Sequence, residues 1–161
     1  MAEGRFLEDC EICRLLQSDD GSIVILAMPW WRVVLNPNQD YLGRVWVTLL
    51  DHRSSLGGLA TDQWLELKRV TELLERATRS AFGAELLNWS WLMNNAYLEP
   101  APTPHVHAHV RPRYAVTPTV SGVSFPDDEF GRHYVRIGAN NVSVDLLRQI
   151  GQELTAAVPA A

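Results

Sequence analysis

Residues 104–113 read PHVHAHVRPR and set His105, His107 and His109 at every second position, with Val106, Ala108 and Val110 between them. In an extended strand alternate side chains share a face, and at roughly 3.3 Å per residue the outer two histidines stand about 13 Å apart. That span excludes one metal ion held by all three. Two neighbours at i and i+2 can still share a zinc, whose ligand nitrogens sit at about 2.0–2.1 Å. A neutral imidazole is also a nucleophile near neutral pH. The plain alternative is a polar, half-exposed strand face.

Cys10 and Cys13, in CEIC, have the spacing that lets two thiolates reach one tetrahedral zinc. A redox role for C-x-x-C wants a strand before it and a helix after it, and no strand precedes this one. His52, which closes RVWVTLLDH, is a candidate third ligand, and His105 at the start of the histidine strand is the simplest fourth. Two inert buried thiols are the other reading. Asn36 ends a β-branched run in VVLNPN, and Asn94 and Asn95 end a tryptophan-rich one. Such asparagines either shape turns or aim amides at a ribose hydroxyl or a phosphate oxygen. Arg111 and Arg113 either pair phosphate oxygens or lie in solvent.

The elements that must position these groups follow from periodicity. SIVILAM (22–28), WRVVLN (31–36) and GRVWVTLL (43–50) read as strands, with PWW at the bend between the first two. Apolar residues at 67, 70, 74, 77 and 81 predict one long helix, with Thr61 as its N-cap and Gly83 as its stop. LLNWSWLMN (86–94) alternates as a strand, and prolines at 104 and 112 bracket a short histidine strand. FLEDCEICRLL permits a short helix or turn carrying the cysteines. SVDLLRQIGQEL predicts a last helix capped by Ser143. Strands, a helix, then strands again, with hairpin-length early connections, indicate an α+β fold with a mainly antiparallel sheet.

The 161 residues fit a single domain, and 47% apolar content supports a globular core. A formal charge of -5 argues against a polymeric nucleic-acid partner, which needs a surplus of lysine and arginine. It leaves room for a nucleotide-sized anion. The N-terminal residues lack a basic stretch followed by an apolar run, and no 18 apolar residues run together, so neither a secretory signal nor a membrane partner is expected. The expected location is the cytoplasm, where the thiols stay reduced.

HVHAHVRPR resembles the signature of histidine triad proteins, in which three histidines alternate with apolar residues and a Pro-Arg pair often follows. CEIC, VVLNPNQDYLGRVWVTLLDH and WLMNN, the last shortly before the triad, are similar to that family's zinc cysteines, nucleotide-pocket strand pair and asparagine strand. The likeness covers about residues 6–113, leaving 114–161 as a C-terminal extension packed on the same domain. It implies a five-stranded antiparallel sheet with one long helix and shorter terminal helices. It also implies a homodimeric nucleotide hydrolase or nucleotidyl transferase, cleaving at the α-phosphate of dinucleoside polyphosphates, nucleoside phosphoramidates or related nucleotides. On this resemblance His107 is the nucleophile and His109 its support, while Cys10, Cys13, His52 and His105 hold a structural zinc. Asn36 stands at a ribose-binding position that is acidic in many members, and Asn94 corresponds to an asparagine near the phosphate, for which Arg111 beside the histidines is the candidate arginine. The chain departs from the pattern in three places. PAPTP (100–104) replaces a Gly-Gln segment with its following hydroxyl residue, Thr103 lying one position late. Gly43-Arg44 replaces Gly-His, and Asn36 replaces the acid. The segment at 125–138, with His133 and Tyr134, lies beyond the signature and reads as strand residues, a pocket cover or a dimer contact.

Overall fold

Apolar alternation organises the chain. The computed structural model describes residues 6–18, 21–133 and 140–160. Five strands, β1 (Val24–Ala27), β2 (Trp31–Leu35), β3 (Val45–Leu49), β4 (Leu86–Ser90) and β5 (His107–Arg113), form one antiparallel sheet in the order β1-β2-β3-β5-β4. Around it lie α1 (Glu11–Gln17), α2 (Thr61–Phe82), α3 (Val144–Ala157) and a small hairpin of β6 (Thr119–Val120) and β7 (Val123–Ser124). This is the expected α+β arrangement, with one long helix and two shorter terminal ones.

One sheet face builds the core. Trp31, Val33 and Leu35 of β2, Val45, Val47 and Leu49 of β3, and Ala108 and Val110 of β5 are all buried. Against them α2 sets Leu67, Val70, Leu74 and Ala77, the predicted stripe. Burying one such side chain contributes about 1.5–3 kcal/mol. Polar contacts fix where α2 sits: Glu66 Oε2 accepts from the backbone N–H groups of Trp30 (2.7 Å) and Trp31 (3.1 Å), and Trp31 Nε1 donates to the Gln63 carbonyl.

The helix ends show how local signals compete. Gly83 stops α2 in the left-handed region, φ 76°, its N–H donating to the Arg79 carbonyl. The start differs from expectation: Thr61 is the first helical residue and Ala60 is the cap. Here Gln63 Oε1 accepts from the Ala60 N–H and Asp62 Oδ1 from the Gln63 N–H, so the first turn is satisfied without a threonine cap. Ser143 does cap α3, its Oγ accepting from the Leu146 N–H. α3 then approaches β1 at Gly151, where a Cβ would stand 2.6 Å from Ile23 Cγ2.

β4 is shorter than 86–94. Its ladder with β5 stops at Ser90↔His109, after which Trp91 turns to meet Trp31 edge-on at 6.1 Å and to stack beside Trp89. The chain then makes a 3-10 turn over Asn94–Leu98. β5, in contrast, runs through Pro112. The backbone groups of Val106 bond toward Arg53 and Leu49, so even-numbered residues of β5 turn to the β3 side, and β3 pairing has ended by Val110. The N–H that proline lacks would have met no ladder partner.

At the end of β5, Arg113 and Asp127 form a buried bidentate pair at 2.7 and 2.9 Å, and Asp127 also accepts from the Tyr114 N–H. That clamp, with buried Phe125, ties down the start of the 125–138 segment. His133 is exposed and lies in no strand, and Tyr134 lies outside the described residues. No helix among the described residues is long and apolar enough to cross a membrane.

Candidate metal centre and catalytic cleft

Three segments converge at the first cluster, helix α1 and the loops after β3 and before β5. Cys10 caps the start of α1, which carries Cys13, His52 follows β3, and His105 precedes β5. Their donor atoms lie within 4.8 Å of one another. Cys10 Sγ to His105 Nδ1, Cys13 Sγ to His105 Nδ1 and Cys13 Sγ to His52 Nδ1 are each 3.5 Å. A tetrahedral ion with Zn–S of about 2.3 Å and Zn–N of about 2.0–2.1 Å separates sulfur from nitrogen by about 3.5 Å. The cluster is therefore compatible with zinc. His105 Nε2–H donates to the Leu49 carbonyl at 2.8 Å, which leaves Nδ1 as the nitrogen with a lone pair. Burial holds the His105 imidazole neutral, its pKa lowered to about 4, and pushes the Cys13 thiol up to about 11. A neutral imidazole suits a metal ligand, and a divalent ion reverses the cost of the thiolate.

The sheet face opposite the core forms the floor of a cleft of about 1540 Å³. Because Val45, Val47 and Leu49 face the core, Trp46 and Thr48 face the cleft, opposite His109 and His107 respectively. Each histidine here has its tautomer set by a neighbour that plays only one role. The His105 carbonyl can only accept, so His107 carries its proton on Nδ1, 2.8 Å away, and keeps the lone pair on Nε2. The Trp46 indole can only donate, so His109 receives it on Nδ1 at 3.2 Å and, when neutral, carries its own proton on Nε2. The two rings lie 5.2 Å apart. Burial, then His107, Arg111 and Arg44, lower the His109 pKa to about 4, so this ring is an uncharged donor at neutral pH.

The remaining predicted residues divide. Arg111 lines the cleft, as does Asn94 at the start of the 3-10 turn. Arg113 does not, because Asp127 holds it in the buried clamp. Asn36 is 2% exposed and its Oδ1 accepts from the Asn38 N–H, a side-chain turn; Asn38 and Asp40 of the same loop line the cleft. Thr103, the displaced hydroxyl of PAPTP, donates to the Asp9 carbonyl at 3.3 Å. Arg32, Trp46 and Thr48 also line the cleft and were not singled out from the sequence; Arg44, noted there only as replacing a histidine, lines it too. Strand alternation could have found them, since once the odd residues of β2 and β3 are assigned inward the even ones, with Arg44 just before β3, must face the histidines.

No family model and no curated protein matches the chain. Solved structures do match. A histidine triad nucleotide-binding protein from Sulfolobus tokodaii, described as hypothetical, is 14% identical, with TM-score 0.67 over 92% of this chain and 91% of that one. A Hit-like protein from Bartonella henselae, described as involved in cell-cycle regulation, is 13% identical, with TM-score 0.64 over 94% and 98%. A Zn-bound histidine triad family protein from Mycobacterium smegmatis is 18% identical, with TM-score 0.59 over 92% and 94%. Over nearly its whole length, this chain has the fold of the histidine triad proteins.

Proposed function

We propose that the protein is a nucleotide hydrolase or nucleotidyl transferase acting at the α-phosphate of dinucleoside polyphosphates, nucleoside phosphoramidates or related nucleotides. The observation that carries this reading is the tautomer of His107: its Nδ1–H is spent on the His105 carbonyl, so Nε2 is the nucleophilic nitrogen on the cleft floor. In the first step Nε2 forms a bond to the α-phosphorus as the bond to the leaving group breaks and its electron pair departs with that group. In the second step, water or another acceptor attacks phosphorus, the P–N bond breaks, and His107 is restored. His109 Nε2–H donates to the phosphate oxygens as charge builds there, Asn94 binds beside it, and Arg111 supplies phosphate-binding charge further along the same face. Asn36 serves the ribose side by folding the loop that carries Asn38 and Asp40.

In this reading Cys10, Cys13, His52 and His105 hold a structural zinc, which stiffens the cluster. His105 in turn presents the carbonyl that orients His107. The reading includes a homodimer working in the cytoplasm. A second reading, nucleotide binding with slow turnover, is favoured by one observation: Thr103 is bonded to Asp9, so this hydroxyl is engaged away from a leaving group.

The test is intact mass spectrometry of the protein mixed with an adenylyl substrate. A nucleotidyl adduct is expected, and none with His107→Ala. Equal turnover by the two proteins overturns the assignment, and binding without adduct or turnover selects the second reading.

A further inference from the structure

The face that carries the histidines continues past them. The β3–β5 register sets Thr48 opposite His107 and Trp46 opposite His109. Carried one residue beyond Val45↔Val110, it sets Arg44 opposite Arg111. Both arginines line the cleft and are nearly buried, 9% and 8% exposed. Like charges opposite one another destabilise a sheet, and withdrawing them from water adds to the cost. Asp40 offsets part of it, its Oδ1 accepting from Arg44 Nη1 at 2.8 Å. Arg44 Nε is buried with no hydrogen-bond partner among the described residues. Such a donor carries a desolvation cost that a bound acceptor would remove. Both arginines also act on His109, where each opposes a further positive charge. The other cleft carboxylates, Asp9, Glu11 and Glu99, stand outside the five-stranded sheet.

Guanidinium groups match phosphate through paired N–H donors. We infer that Arg44 and Arg111 form a second anion subsite, two strand residues from His109, that takes a second phosphate of the substrate. This inference rests on the cleft being a nucleotide site with its reaction at His107. Two strand residues span roughly 7 Å, so the second anion is distinct from the phosphate under attack. The preferred substrate is then a nucleotide with at least two phosphate groups. The second lies either on the phosphate tail or on the ribose; both offer the same anionic oxygens.

The test is calorimetric binding of AMP, ADP, adenosine 3′,5′-bisphosphate and inorganic pyrophosphate to the full chain. Arg44→Gln and the double variant Asp40→Asn/Arg44→Gln are measured alongside. The double variant leaves no lone buried carboxylate, and thermal melts identify folded samples. Charge-assisted hydrogen bonds predict that ADP or the bisphosphate binds roughly 10-fold or more tighter than AMP. Both variants should bring that ratio to within about twofold of unity. A gain for ADP assigns the second phosphate to the tail, and a gain for the bisphosphate assigns it to the ribose. Equal affinities in the wild type, or a gain that survives both variants, overturn the subsite. Pyrophosphate separates the two readings. If no nucleotide binds but pyrophosphate binds only the wild type, the anion subsite stands and the nucleotide reading falls. If pyrophosphate fails as well, both fall.

Discussion

His105 and His107 are two residues apart and end in opposite chemistry. His105 gives its Nε2–H to the Leu49 carbonyl and turns Nδ1 to two thiols in a buried cluster. His107 gives its Nδ1–H to the His105 carbonyl and keeps Nε2 over an open cleft. Residue type is the same, so the difference lies in which backbone carbonyl each ring meets. The two are also chained: the carbonyl that orients the cleft histidine belongs to the residue anchored in the cluster. The buried cluster and the cleft histidine are thereby joined through a single peptide unit.

Breaking the reactive half alone should give the largest effect. His107→Ala removes the lone pair and leaves all four cluster donors in place. Turnover of an adenylyl substrate should fall at least about 10³-fold, as for loss of a nucleophile, with zinc content still about one per chain. Loss of zinc together with activity would show that the two halves are not separable.

Breaking the structural half comes next. An ion present at a thousandfold over its Kd contributes about 4 kcal/mol to folding stability. For a chain of this size that is roughly 10 °C in melting temperature. Chelation should therefore lower the melting temperature by about that much. Zinc uptake by the stripped protein should strengthen as pH rises, because a Cys13 thiol pushed up to about 11 must release its proton to bind. A chelated protein that melts unchanged and contains no metal would reduce the cluster to two buried thiols beside two imidazoles.

Arg111 and Arg113 repeat the contrast on the same strand. They share a parity on β5, yet one lines the cleft while the other is locked to Asp127. Asp127→Ala should destabilise the fold by about 3 kcal/mol, the cost of a buried charge left alone, as read by urea unfolding. A change under about 1 kcal/mol would show that water reaches Arg113 when its partner is removed.

That pair also marks the limit of what the chain discloses before folding. β-Branched apolar runs identified β2 and β3, alternation identified β5, and a helical period identified the stripe of α2, because burial favours each pattern. Gly83 and Ser143 were legible as helix ends because each acts within its own turn. Thr61 was not, since the start of α2 is satisfied by Asp62 and Gln63 side chains that any reading by residue preference undervalues. The tryptophans of 86–94 kept a strand period past Ser90, where aromatic stacking and not pairing holds the chain. In the site, CEIC and the histidine run announce themselves by spacing, and His52 by its place after β3. The partners that decide chemistry come from elsewhere in the chain: Asp127 for Arg113, Leu49 for His105, Trp46 for His109. Asn36 shows the same limit, its amide oxygen being used by a turn two residues away.

Trp46 gives the smallest effect and the sharpest reading of tautomer control. Trp46→Phe keeps a ring beside His109, 6.4 Å between centroids in the native pair, and removes only the N–H that meets Nδ1. One hydrogen bond of this kind contributes about 1 kcal/mol, so kcat/KM should fall roughly fivefold, with metal content unchanged. The lost bond also served only the neutral ring, because a protonated Nδ1 cannot accept; the His109 pKa should therefore rise from about 4 toward its ordinary 6.5. With the folded-state pKa below the unfolded one, the unfolded chain binds more protons between those values. Stability thus falls as pH drops from 6.5 to 4 and is flat above. In Trp46→Phe the gap narrows, so that slope should be shallower than in the wild type when both are unfolded after chelation. An unchanged rate and an unchanged slope would mean that the indole contributes packing alone, and that His109 chooses its tautomer without it.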